Sequence, residues 1–216
     1  ARKICKILEL AEKGRLPVIG IWDGDGQRPH EGVTSLGPNG EILDRLVSCS
    51  GKVPILSIVL GTVSGTSALA AGLSDFVILG RQRGRMFMRS PYVIPEIISG
   101  EVDEDTLGGA THHASRSGVA CMVSESGSGA FDIAAEILSF LPDHTMAEPP
   151  RLSTGDKWKR KCKGMGKLVP LDSDRPYDMR GVLAEVVDDK RFLELFPSYA
   201  QNVVVGFARL DGVPVG

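Results

Sequence analysis

Two short stretches combine the residue types that could do chemistry. Asp23-Gly24-Asp25-Gly26-Gln27-Arg28 follows an apolar run at 16–22, and Gly61-Thr62-Val63-Ser64-Gly65-Thr66-Ser67 follows another at 53–60. Glycine-bearing loops of this kind leave backbone N–H groups free to hold an anion, a thioester oxygen or a phosphate. Two in succession, with few side chains of catalytic type nearby, point to chemistry run by the backbone. The plain alternative is a pair of tight strand-to-helix turns.

Familiar nucleotide and hydrolase motifs do not fit. Gly24 and Gly26 supply two glycines of a dinucleotide fingerprint, but Pro29 stands at the third place, and the lysine and second glycine of a P-loop are missing. Ser64 is out of register for a nucleophile elbow. His30, His112, His113 and His144 are too dispersed for a metal motif, so structural roles and no metal are expected. Asp103-Glu104-Asp105 reads as charge at a helix N-terminus. Lys157, Lys159, Arg160, Lys161, Lys163 and Lys167 surround Trp158. That run reads as a solvated loop, with contact to a cofactor's phosphates as the alternative.

The elements that must position these loops alternate. A first helix is expected around Ile4, Ile7, Leu8 and Ala11, then strand 18–22, a helix over 39–50 and strand 53–60. The second loop feeds a helix over 65–73 made almost wholly of Ala, Gly, Leu and Ser, which implies burial all round. Strands are expected at 76–79, 85–88 and 119–123, with Pro91 starting a helix. Ser128 is the expected cap of a helix carrying Ile133, Ile137 and Leu138. A helix over 179–187, a strand over 203–208 and a turn into a further strand at 212–216 complete an α/β pattern.

Bulk properties narrow the class. The 216 residues carry 42% hydrophobic and 24% charged residues, an ordinary globular composition. A formal net charge of −2 argues against a dedicated nucleic-acid binder, and no apolar run is long enough to span a bilayer. Cys5, Cys49, Cys121 and Cys162 lie far apart and read as free thiols of a reducing compartment. The opening inside a helical pattern and the absence of an initiator Met make a piece of a longer protein the expectation.

In order along the chain, several motifs resemble the carboxyltransferase subunit of biotin-dependent acyl-CoA carboxylases, in its propionyl-CoA and acetyl-CoA branch. They are Pro17-Val18-Ile19-Gly20-Ile21-Trp22-Asp23 with Arg28, Glu31-Gly32-Val33 with Leu36, Gly108-Gly109-Ala110-Thr111-His112, and Ser117-Gly118-Val119-Ala120. Pro149-Pro150, Pro176-Tyr177-Asp178-Met179, Val187-Asp188-Asp189 and Val204-Val205-Gly206-Phe207 continue the match. The resemblance implies a crotonase-like superhelix of repeated β-β-α units, with residues 1–216 forming most of the N-terminal, acyl-CoA-binding domain. The opening segment and the whole C-terminal domain of such subunits have no counterpart in it. It also implies carboxyl transfer from carboxybiotin, borne by a biotin carboxylase or biotin carrier partner, to the α-carbon of an acyl-CoA. A homo-oligomeric intact subunit in the cytoplasm or mitochondrial matrix is expected, and neither nucleic acid nor membrane is a partner.

By position, the thioester oxyanion hole falls on the N–H groups of Gly65 and Thr66. The loop of Gly24, Asp25, Gly26, Gln27 and Arg28 lines the CoA side. Such subunits usually read Asp-Ser-Gly-Gly-Ala-Arg and Ala-Gly-Gly-Ala at these two places, so Asp25 adds a carboxylate and Thr66 a branched side chain. Two other readings therefore stay open here: a non-catalytic assembly or regulatory relative, and a crotonase-type acyl-CoA hydrolase or decarboxylase using Asp25. The direction of carboxyl transfer and the acyl chain are open too, and the fragment alone is not expected to turn over.

Overall fold

The computed structural model describes residues 1–24, 26, 29–157, 159–172 and 174–216, with the side chains of Pro29 and His30 set aside. Helix α1 (Arg2–Gly14) leads to strand β1 (Val18–Trp22) and helix α2 (Leu36–Cys49). Strands β2 (Ile55–Val59) and β3 (Thr62–Ser64) precede helix α3 (Thr66–Gly72). Strands β4 (Phe76–Gly80) and β5 (Arg85–Phe87) precede short helices α4 (Pro95–Ile98), α5 (Glu104–Gly108) and α6 (Ala110–His112), and α6 runs into a π-helical turn at His113–Ser117. Strand β6 (Met122–Ser124) and helix α7 (Gly127–Phe140) follow. Helices α8 (Met165–Leu168) and α9 (Met179–Val186) then lead to strands β7 (Leu193–Leu195), β8 (Val205–Leu210) and β9 (Val213–Val215).

The β-β-α repeat organises this order. The leading strand of each unit enters one parallel sheet, β1-β2-β4-β6, while the second strands β3 and β5 pair parallel in a small separate sheet. This is the crotonase-like superhelix, wound so that consecutive units stack. A three-stranded antiparallel sheet, β7-β8-β9, closes the chain. Its β8–β9 hairpin turns on Asp211 (φ 52°) and Gly212 (φ 77°), two consecutive left-handed residues as a two-residue hairpin loop requires.

Helices cover both faces of the parallel sheet, so its strands read as continuous apolar runs, and all five residues of β2 are buried. On one face Leu56, Ile58 and Ile78 pack against Ala130, Ala134 and Ile137 of α7. On the other Val59, Val77 and Leu79 meet Ala68 and Ala71 of α3, with Val63 and Met86 from the small sheet. Each fully buried aliphatic side chain of this kind contributes roughly 1.5–3 kcal/mol. Leu8, Ile42 and Leu46 form a third cluster between α1 and α2.

Several expectations shift. The α3 helix is buried on one face only: Ala68, Ala70 and Ala71 are inside, while Leu69 and Leu73 are each 40% exposed. Ser126, not Ser128, caps α7, its Oγ accepting the Gly129 N–H at 3.0 Å. Strand β6 begins three residues later than expected, because the left-handed Gly118 and the return past Ala120 come first. In α1 only Leu8 and Ala11 of the expected face are buried. Ile4 and Ile7 stay exposed and, with Ile19 and Ile21 of edge strand β1, line an open groove of about 330 Å³. Among the described residues no helix is long and apolar enough to cross a membrane.

Candidate functional site

Parallel pairing of β1 with β2, in the register Trp22↔Val59, sends both glycine loops out of the same end of the sheet. The Leu60 N–H donates to the Trp22 carbonyl at 2.9 Å and ties their roots together. Asp23 lies directly over Gly61, where any Cβ would collide with its carboxylate. Gly26 has φ 85°, and a Cβ on it would sit 2.6 Å from the Ser64 carbonyl oxygen and 3.5 Å from Ser67 Oγ. Both conditions demand glycine, so Gly26 is pressed backbone-first onto the second loop. Gly24 faces open space. The structure thus brings Gly26 to the Ser64–Ser67 turn; Asp25, Gln27 and Arg28 lie outside the described residues.

Gly65 makes the turn into α3 at φ 59°, ψ −128°, a conformation that an L side chain resists. Its own N–H donates to the Phe87 carbonyl at 3.0 Å, the rung that prolongs the β3–β5 ladder. This corrects the expected donor pair: the Gly65 amide is engaged, because residues 62–64 are a strand and not part of a free loop. Gly65 supplies the turn, and Thr66 is the first residue of α3 beyond it. Its N-cap residue, Gly65, has no side chain to cap α3, and the Gly65 carbonyl accepts from Leu69 N–H at 3.0 Å. First-turn amides of a helix have no partner within it, and the helix dipole favours negative charge there.

Thr66 Oγ1 is buried without a hydrogen-bond partner. Replacing a buried unsatisfied hydroxyl by a methyl of the same shape removes its desolvation cost while leaving the amide in place. Thr66→Val is therefore expected to stabilise the fold by about 1 kcal/mol, measured as a raised urea midpoint at unchanged slope.

The remaining polar groups sort by geometry. His113 is half-buried: Nε2 lies 2.9 Å from the Met86 carbonyl, Nδ1 lies 2.8 Å from Ser117 Oγ, and burial pushes its pKa below the usual imidazole value. Sequence reasoning placed all four histidines in structural roles. It missed that this one touches β5, since the signal lies in a π-helical turn that no periodicity shows. Cys121 is driven up to about 12 by burial and is inert as a nucleophile. Asp103 caps α5, accepting the Thr106 N–H at 2.9 Å. Within the basic run Arg160 faces inward, bonding the Glu185 carbonyl (2.6 Å), the Val187 carbonyl (2.7 Å) and Asp156 (2.7 Å), while Lys157, Lys161, Lys163 and Lys167 face solvent. Among the described residues no three His, Cys, Asp or Glu side chains gather as a metal site would need.

Residues 1–216 match the carboxyl transferase domain family along their whole length. The chain is 40% identical over 216 residues to the carboxyltransferase subunit of propionyl-CoA carboxylase from Haloferax mediterranei, covering all of this chain and 42% of that one. It is 35% identical to the mitochondrial propionyl-CoA carboxylase beta chain of Sus scrofa, again over the whole chain and 40% of the relative. Among solved structures, transcarboxylase 12S, a hexamer with methylmalonyl-CoA and methylmalonic acid bound, superposes with a TM-score of 0.93 at 34% identity, covering 100% of this chain and 42% of its own. The chain spans about two-fifths of the length of these relatives.

Proposed function

Because the chain belongs to the carboxyl transferase domain family, we propose that it forms the acyl-CoA half of a composite site. That site moves a carboxyl group between carboxybiotin and the α-carbon of an acyl-CoA. Residues 1–216 would be most of the N-terminal domain of the intact subunit. The biotin would arrive on a carrier subunit or domain, and the intact subunit would be a homo-oligomer. The compartment, cytoplasm or mitochondrial matrix, follows the host, as the mitochondrial name of the Sus scrofa relative illustrates.

The observation that carries this reading is the Gly65 turn into α3, whose N-cap residue has no side chain to cap it, set beside the Gly26 backbone. The Thr66 N–H donates to the thioester oxygen and takes up the negative charge that grows there as the α-proton leaves. One preorganised donor of this kind is worth about 3 kcal/mol of barrier. The loop at 24–28 borders the CoA moiety, and the α3 dipole adds to the field at the oxygen. Carboxybiotin, when present, supplies both the carboxyl group and the base. A donor set built from backbone amides suits that division of labour, with this chain binding and polarising the acyl group.

Calorimetric titration of the chain with propionyl-CoA and with free CoA tests the reading. Tighter binding of the thioester is expected, because only the thioester presents an oxygen to the Thr66 amide. Equal affinity for the two, or none for either, counts against an acyl-CoA half-site in this chain.

A further inference from the structure

Strand β5 is gripped on both edges by consecutive carbonyls. Successive carbonyls of a strand point to opposite edges. The Phe87 carbonyl accordingly faces β3 and accepts the Gly65 N–H at 3.0 Å, while the Met86 carbonyl faces the other way, toward His113 Nε2 at 2.9 Å. A carbonyl can only accept, so Nε2 carries the ring proton, and Nδ1 accepts from the Ser117 hydroxyl at 2.8 Å. Ser117 Oγ in turn accepts the Val119 N–H at 3.3 Å, so the neutral tautomer has each partner in the role its chemistry allows.

The contact between this helical element and β5 is tight. A Cβ on Gly108 would lie 2.7 Å from the Met86 carbonyl oxygen and 2.4 Å from Cε1 at the edge of the Phe87 ring. Arg85 bridges to Gly109 through the backbone and to the Asp105 carboxylate at 2.9 Å. The 105–117 element therefore forms one wall of β5, and β5 forms the wall against which the Gly65 turn is set.

We propose that His113 is a positioning residue for carboxyl transfer: by holding the Met86 carbonyl it fixes β5, and through the Phe87 carbonyl it fixes the orientation of the Gly65–Thr66 turn. This rests on the reading of Thr66 as a donor to the thioester oxygen. His113 touches neither substrate nor cofactor; it sets where the Thr66 amide points. Positioning errors on the order of 1 Å at a reacting centre cost about 100-fold in rate, so the effect falls on turnover and not on substrate capture.

Two measurements test it. The first is amide exchange on the labelled chain. His113→Phe keeps the ring volume and loses both hydrogen bonds, and is expected to speed exchange of the Gly65 N–H about tenfold while Ile58 in β2 keeps its protection. The second uses the intact carboxyltransferase subunit with its biotin carrier. There His113→Phe should lower kcat by roughly 10- to 100-fold and leave KM for the acyl-CoA within about twofold. His113→Gln, whose terminal amide reaches as far as Nε2 and donates to Met86, should restore most of both; the shorter His113→Asn should not. Unchanged Gly65 exchange in His113→Phe overturns the proposal whatever the activity. So does faster exchange with unchanged kcat, or a kcat loss that Gln and Asn repair equally. Absence of carboxyl transfer by the unsubstituted enzyme overturns the reading beneath it, and is told apart because no variant is involved.

Discussion

Thr66→Pro is expected to lower kcat/KM for carboxyl transfer by about 100- to 1,000-fold in the intact enzyme, with the fold retained. The substitution deletes one atom of interest, the amide hydrogen. Thr66 is the first residue of α3, and proline is well accepted there because that N–H has no partner within the helix. The preceding Gly65, at φ 59° and ψ −128°, is far from the helical region that a following proline forbids. Melting temperature, measured beside activity, should therefore move little. Thr66→Val is the paired control, since it alters the side chain and keeps the donor. Loss of activity in both would assign the effect to the side chain and remove the amide from the mechanism; retention in Thr66→Pro would do the same more directly.

The largest expected loss of stability is at the far end of the chain. Gly212 closes the β8–β9 hairpin at φ 77°, and a Cβ there would overlap the Leu152 carbonyl oxygen, which is backbone and cannot swing aside. The same residue donates its N–H to Asp188 Oδ2 at 2.7 Å, and its carbonyl accepts from Leu152 N–H at 3.0 Å. Gly212→Ala thus meets left-handed strain and a steric clash at a point tied to two other segments. Together these should cost about 3 kcal/mol. For a chain of this size that lowers the melting temperature by on the order of 10 °C, read by calorimetry. A shift within about 2 °C would mean that the 152 strap moves freely, contrary to its hydrogen bonds.

Long-range order was written plainly in some stretches and hidden in others. The run Ile55-Leu56-Ser57-Ile58-Val59 announces a strand buried on both faces, and it is one of the two inner strands of the parallel sheet. Residues 62–64 carry no such announcement. Three residues between Gly61 and Gly65 read as loop, and only pairing with residues 85–87, more than twenty positions on, makes them a strand. That pairing engages the Gly65 amide and so alters the site itself. The α7 cap fell on Ser126 and not on the expected Ser128 because periodicity cannot choose among the alternating Ser124, Ser126 and Ser128; Ser124 instead donates to the Ser126 carbonyl at 2.7 Å. The π-helical turn at 113–117 has no sequence period of its own. Local pattern shows where elements lie, while the partner of each carbonyl emerges only from register.

The bare flank of α1 and β1 has a consequence for the chain as a colloid. Ile4, Ile7, Ile19 and Ile21 form a sticky ledge beside an edge strand, and among the described residues Lys3 is the sole charge lining it. Edges of this kind attract their own copies unless charge keeps them apart. A net charge of −2 spread over 216 residues gives little mutual repulsion, and salt screens what there is. In osmotic terms a negative second virial coefficient is expected for these 216 residues taken by themselves: static light scattering per unit mass should rise with concentration, and more steeply in added salt.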